Sequence, residues 1–204
     1  MCKRHGSVEY FFANLYPTQP ILHRQKVGET IGLMDTDVEA YCLVVSLCGY
    51  MMIQPNMTLP SGVMDGLGVP LQSTSQLGHA LLQETLRVRK GSSYVEHPSV
   101  WSVITSFFLF GSFFCLDRHN TAWYHLREAT TLALMIGMHD ESSYEGSDLI
   151  ESCRRRRLYW LLFVTERAYA LQQHKPLTLY ATIGLPTLDE DPQETVELNG
   201  FIHL

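Results

Sequence analysis

An all-α fold is predicted, and three observations predict it. Apolar residues recur at helical spacing in successive stretches of the chain. No alternation of apolar and polar residues runs convincingly beyond about five residues, so strands have no signal. Most of the periodic stretches are bracketed by Asp, Ser or Thr at the front and by Gly or Pro at the back.

In chain order, VEYFFANLY at 8–16 reads as a short helix that Pro17 and Pro20 stop and extend. Asp35 and Thr36 are the expected caps for the apolar helix DVEAYCLVVSLCGYMMI, which Gly49 or Pro55 limits. Residues 55–74, rich in Pro and Gly, form a predicted long loop, a length uncommon inside a domain and often functional. A helix follows from Ser75 to about Lys90, its stripe expected at Leu77, Ala80 or Leu81, Glu84 and Val88. Arg87, Arg89 and Lys90 sit in its last turn, where cations suit the helix dipole.

Pro98 and Ser99 open VWSVITSFFLFGSFFCL, apolar almost all round. It is interrupted by Ser, Thr and Gly and falls short of the roughly 20 residues a membrane span needs, so a buried core helix is expected. Asn120 or Thr121 is expected to cap the next helix, AWYHLREATTLALMI. Gly137 is expected at its left-handed end, with Met138 as the apolar contact beyond. A polar connector, HDESSYEGSD, leads to a long final helix capped by Ser147 or Asp148 and ended by Pro176. The rest is irregular, with an exposed acidic loop at LPTLDEDP.

Composition narrows the function classes. The 204 residues are 46% hydrophobic and 18% charged, ordinary for a folded domain. A net charge of −6 argues against a domain that holds nucleic acid by itself. The five cysteines, Cys2, Cys42, Cys48, Cys115 and Cys153, include no C-x-x-C pair, so a zinc cluster built from them is not expected. The start of the chain shows no signal peptide, and Asn56-Met57-Thr58 reads as a chance sequon. No nucleophile elbow, P-loop, dinucleotide fingerprint or H-E-x-x-H occurs. His125 and Glu128 have the spacing of a helical metal pair, but the neighbouring helix brings no carboxylate to complete one. A partly exposed polar pair is expected instead.

The strongest local signal is RRRRLYWLLFV at 154–164. A helix turns about 100° per residue, so four consecutive arginines point four ways and cannot track a phosphate backbone. The following apolar residues also surround the axis. The expectation is a helix whose first turns stand in solvent and whose middle is enclosed. Glu166 and Arg167 interrupt that middle and need partners. Arg127 and Glu128 on the preceding helix offer the complementary signs, so a crossed ion-pair arrangement is expected.

These residues carry a resemblance. RRRRLYWLLFVTERAYALQQHKP resembles the signature helix of the fungal-specific transcription factor domain. That domain is the middle homology region of fungal regulators with a two-zinc, six-cysteine DNA-binding cluster. Tyr159 and Trp160 match its paired aromatics, Glu166 and Arg167 its acid-arginine pair, and His174-Lys175-Pro176 stand where it has G-R-P. AWYHLREATTLALMIGMHDE is similar to a second family segment, with Ala129, Ala133, Gly137 and His139 in place. FFANLYPTQPILHR is similar to the opening segment, with Tyr16, Pro17, Pro20 and His23.

The resemblance implies a transcription regulator acting in the nucleus, with residues 1–190 as its helical regulatory region and 191–204 as an irregular tail. Relatives carry their zinc in a cluster that would precede this region, and their helical region continues further, so the domain is expected to be incomplete at its C-terminus. Neither a cofactor nor a catalytic or metal residue is expected in this chain. It implies other regulatory proteins or a homologous factor as partners, a small-metabolite inducer, and neither nucleic-acid nor membrane contact. A stand-alone protein that modulates a full-length factor is the alternative, and a small helical enzyme or lipid-binding protein the third reading. The 55–74 loop and a cleft beside the helices of Trp101 and Trp160 are the expected contact surfaces.

Overall fold

The computed structural model describes residues 2–55, 73–146 and 148–186. The centre of the Pro/Gly loop with its sequon, most of the acidic loop and the 191–204 tail lie outside the described residues. Seven α-helices and one short 3-10 turn are described, and no strand among the described residues, as an all-α class requires. They are α1 (Cys2–Asn14), α2 (Arg24–Leu33), α3 (Val38–Ile53), α4 (Thr74–Arg89), α5 (Val100–Cys115), α6 (His119–Met135) and α7 (Leu149–Gln173), with the turn at Glu141–Tyr144 before α7. The chain divides into two units, Met1–Ile136 and Gly137–Leu204.

The first unit is built around α3, which packs against α1, α2, α4 and α5, while α6 packs on α5. Asp37, not Asp35 or Thr36, caps α3: its carboxylate accepts from the N–H groups of Glu39 and Ala40 at 2.7 and 3.0 Å. Nearly every residue of α3 from Ala40 to Ile53 is buried. It crosses α4 closely because two glycines face each other. A Cβ on Gly78 would lie 2.8 Å from Ile53 and 3.0 Å from the Gly49 carbonyl. That approach turns α4 so that Gly78, Leu82, Thr85 and Arg89 are buried, a face rotated by one residue from the expected stripe.

Helix α5 is the expected core helix, closed at its front by a Ser99/Ser102 capping box. Phe108 stacks on Tyr50 and meets Phe11 edge-on. Among the described residues no single helix is long and apolar enough to cross a membrane. Helices α2 and α3 pass that test only as a pair bent by 120°, and α3 is enclosed in the unit.

Two boundaries differ from expectation, and one helix, α2, has no counterpart in it. The expected 8–16 helix runs from Cys2 to Asn14. Helix α2 carries two glycines and few apolar residues, so it has little intrinsic signal; Val27 and Thr30 are buried and it packs on α3. Helix α6 starts at His119 without a side-chain cap, ahead of Asn120 and Thr121, because Asp117 takes a left-handed φ of 59° and reverses the chain directly after α5. Gly137 takes its expected left-handed φ of 73°, and Met138 is fully buried.

In the second unit Asp148 caps α7 by accepting from the Glu151 N–H. The helix ends in a Schellman turn, with Lys175 N–H reaching Ala170 O at 3.2 Å. His174 holds the left-handed position there, φ 53°, where the family motif has glycine.

Candidate functional site

Two groups of polar side chains stand out, one in each unit, and each contains one of the expected acidic residues.

In the first unit the centre is Glu128 on α6. Its side chain is 11% exposed and is met by four polar side chains. Arg89 from α4 contributes Nη1 at 3.0 Å, Tyr94 its hydroxyl at 2.6 Å, Ser106 on α5 its hydroxyl at 2.8 Å, and His125 lies with Nδ1 at 3.1 Å. Burial alone would raise the Glu128 carboxyl. The His125 hydrogen bond, the Arg89 charge and the Tyr94 hydrogen bond outweigh it and bring the carboxyl to about 2. The same burial and the bond to Glu128 push the Tyr94 phenol up. His125 is buried and stacks on Phe113, so His125 and Glu128 form an enclosed pair where a partly exposed one was expected.

Arg89 is 5% exposed and its guanidinium covers the Tyr94 ring at 3.8 Å. The dipole role expected for it is therefore not its main one. The available signal was its phase: Arg89 falls seven residues after Leu82 and four after Thr85, on the buried face. Ala129 and Ala133 are fully buried on α6. Arg127 lies 5.4 Å over the Trp123 ring. Among the described residues no group of three or more His, Cys, Asp or Glu could hold a metal ion.

In the second unit the residues of the signature helix grip the chain that follows it. Glu166 is fully buried and accepts from the Thr178 and Leu179 N–H groups, both at 2.9 Å, and from the Thr178 hydroxyl. Arg167 donates Nη2 to Leu179 O at 2.9 Å while covering the Phe163 ring at 3.3 Å. The paired aromatics continue the grip. Tyr159, fully buried, donates to Tyr180 O at 2.7 Å, and Trp160 Nε1 donates to Gly184 O at 2.8 Å. Thr182 donates to His139 O at 2.6 Å. Pro176 stands at the start of this strap, two residues before its first anchored position.

The arginine run joins the same arrangement. Arg156 pairs with Glu141 at 2.6 Å, donates to Gly184 O at 3.1 Å and lies 4.4 Å over Tyr144. Glu141 also accepts from the Gly184 N–H at 2.8 Å. Arg154 pairs with Glu151, and Arg155 donates to Ser143 O. The expected solvated first turns are thus corrected: the side chains of Arg154 and Arg156 are only 11% and 15% exposed, and Arg157 is buried. The acidic and aromatic connector before α7 supplies partners for guanidinium groups pointing several ways. The enclosed middle is corrected as well, because Val164 is exposed and Trp160, Leu161 and Phe163 are only partly buried. Apolar residues on an outer face are common in folded proteins and do not oblige burial.

The chain matches the family described as fungal specific transcription factor domain over residues 8–201. It belongs to that family. It is 32% identical over 168 residues to the probable sucrose utilization protein SUC1 of Candida albicans, covering 82% of this chain and 32% of that protein. It is 32% identical over 112 residues to the maltose fermentation regulatory protein MAL13 of Saccharomyces cerevisiae, covering 54% of this chain and 23% of that protein. A third relative, the ascochitine biosynthesis cluster transcriptional regulator of Didymella fabae, is 28% identical over 116 residues, covering 52% of this chain and 19% of that protein. The matched parts thus span about a third or less of these relatives. No solved structure matches this chain.

The family motif residues Tyr159, Trp160, Glu166 and Arg167 therefore meet in one place, on the backbone of 178–184. The dipeptides Arg127-Glu128 and Glu166-Arg167 lie in different units, as do Trp101 and Trp160.

Proposed function

We propose that this chain is the helical regulatory region of a fungal transcription regulator, acting in the nucleus on genes for sugar utilisation. The match to the family over residues 8–201, with relatives named for sucrose and maltose use, carries this reading. The region works by contact with other regulatory proteins or a homologous factor, under a small-metabolite inducer, and performs no catalysis. It does not touch DNA: the net charge is −6, and Arg154, Arg155 and Arg156 of the 154–157 run make internal polar contacts while Arg157 is buried.

Fusing the chain to an unrelated DNA-binding domain tests this on a reporter in yeast. Reporter output is expected to differ between cells grown on maltose or sucrose and cells grown on glycerol. Equal output on every carbon source contradicts the sugar assignment. A gel-shift with the chain alone is expected to leave duplex DNA unshifted, and a salt-sensitive shift contradicts the assignment of DNA contact to other parts of such regulators.

A further inference from the structure

At the front of α3, Thr36, Asp37, Val38 and Glu39 border a cleft of about 530 Å³ whose other wall includes Tyr94 and His97. That size falls in the range of small-molecule sites. Glu39, Ser92 and Tyr94 also line a narrow throat of about 10 Å³, room for about one hydroxyl or one water, which Cys42, Arg89 and Thr105 close from inside.

Two polar atoms in the throat wall have no partner within the protein. Thr105 on α5 is 1% exposed, and its Oγ1 makes no hydrogen bond. Glu39 accepts from the Ser99 hydroxyl through Oε2 at 2.6 Å, while its Oε1 is buried without a donor. Buried polar atoms are almost always answered, so this pair marks a place where something else answers them. Burial pushes the Glu39 carboxyl up, against the Ser99 hydrogen bond, with Asp37 adding to the rise and Arg89 opposing it.

The wall selects the chemistry of the visitor. Asp37 and Glu39 repel anions, and the Arg89 guanidinium at the throat is already held by Glu128, Ser106 and the Tyr94 ring. An ammonium group only donates and leaves the Thr105 hydroxyl without an acceptor. A hydroxyl does both: it donates to the carboxylate and accepts from the threonine. Val38, 47% exposed, and the half-buried Tyr94 supply an apolar edge.

We propose that this cleft binds a neutral polyhydroxylated small molecule, one hydroxyl of which enters the throat between Glu39 Oε1 and Thr105 Oγ1. Its regulatory meaning rests on the function proposed above; the binding itself does not.

Isothermal calorimetry on the 204-residue chain tests it, with maltose and sucrose as neutral probes, glucose 6-phosphate as the anionic probe and spermidine as the cationic one. At least one neutral sugar is expected to bind, and the charged probes are expected not to. Thr105→Val is expected to weaken sugar binding roughly tenfold, the worth of one lost hydrogen bond. The same change removes an unanswered hydroxyl, so the melting temperature of the free chain is expected to hold or rise. Glu39→Gln, which keeps shape and removes charge, is expected to weaken sugar binding as well. Absence of heat with both sugars overturns the site, as does preference for a charged probe. Unchanged affinity in a folded Thr105→Val chain overturns the throat assignment. A sugar-independent reporter together with sugar heat sinks the functional reading alone; a sugar-dependent reporter without heat sinks the cleft alone.

Discussion

Glu128 and Glu166 are both carboxylates drawn out of water beside an arginine in sequence, yet their surroundings differ in kind. Glu128 is met by side chains from α4, α5, α6 and the 90s turn, and its site is a node where helices lock to one another. Glu166 accepts, within its unit, from the peptide N–H groups of Thr178 and Leu179 and from the Thr178 hydroxyl, and its site is a clasp on a strap of chain without helix or strand. A node depends on which side chains surround it. A clasp made largely on backbone depends first on the gripping residues, with Thr178 and Thr182 of the strap adding their hydroxyls. That difference explains why the gripping residues Tyr159, Trp160, Glu166 and Arg167 are the ones that form a recognisable pattern, while the strap they hold reads as irregular.

The node is where a single change costs most. Arg89→Met leaves the Glu128 charge buried with fewer donors, and a loss of about 3–5 kcal/mol is expected in urea unfolding. The pH dependence has a definite sign. The Glu128 carboxyl sits at about 2 against an ordinary 4.5, so its contribution is complete above about pH 4.5 and is lost as pH falls toward 2. Arg89→Met is expected to flatten the acid limb between those values; an unchanged limb would show that the node does not carry it.

Gly78→Ala separates the scaffold from both carboxylates. Its methyl would meet Ile53 and the Gly49 carbonyl, and about 1–3 kcal/mol of destabilisation is expected. Because the α3–α4 crossing lies in the first unit, amide protection in the strap is expected to persist. Loss of both together would mean that node and clasp melt as one.

The smallest effect is expected at the turn that launches the strap. His174→Gly relieves a left-handed backbone at the end of α7 and should stabilise by about 0.5–1 kcal/mol; a loss of stability would show that the imidazole has a role there.

Much of this architecture was legible in the sequence, and the exceptions have causes. Helix α5 declared itself by its length, its apolar run and Ser99, and Gly137 by its place after a periodic stretch. Helix α2 did not, because packing on α3 and not propensity sustains it. The α4 face lies one residue away from the apolar stripe in its sequence, because a glycine carries no hydrophobic signal even where it makes the closest approach. Glu166 and Arg167 were recognisable as residues in need of partners. Their partners in the second unit were not, because main-chain N–H and C=O groups are present at every position and have no signature in sequence. Likewise Thr105 looked like one more interruption in an apolar run, and only its lack of a partner distinguishes it.

Hydrogen exchange on Glu166→Gln tests the clasp most directly. The amides of Thr178 and Leu179, bonded to Glu166 at 2.9 Å, are expected to lose protection while those of α3 and α5 in the first unit keep theirs. Undiminished protection at both amides, or an equal loss throughout the chain, would contradict it.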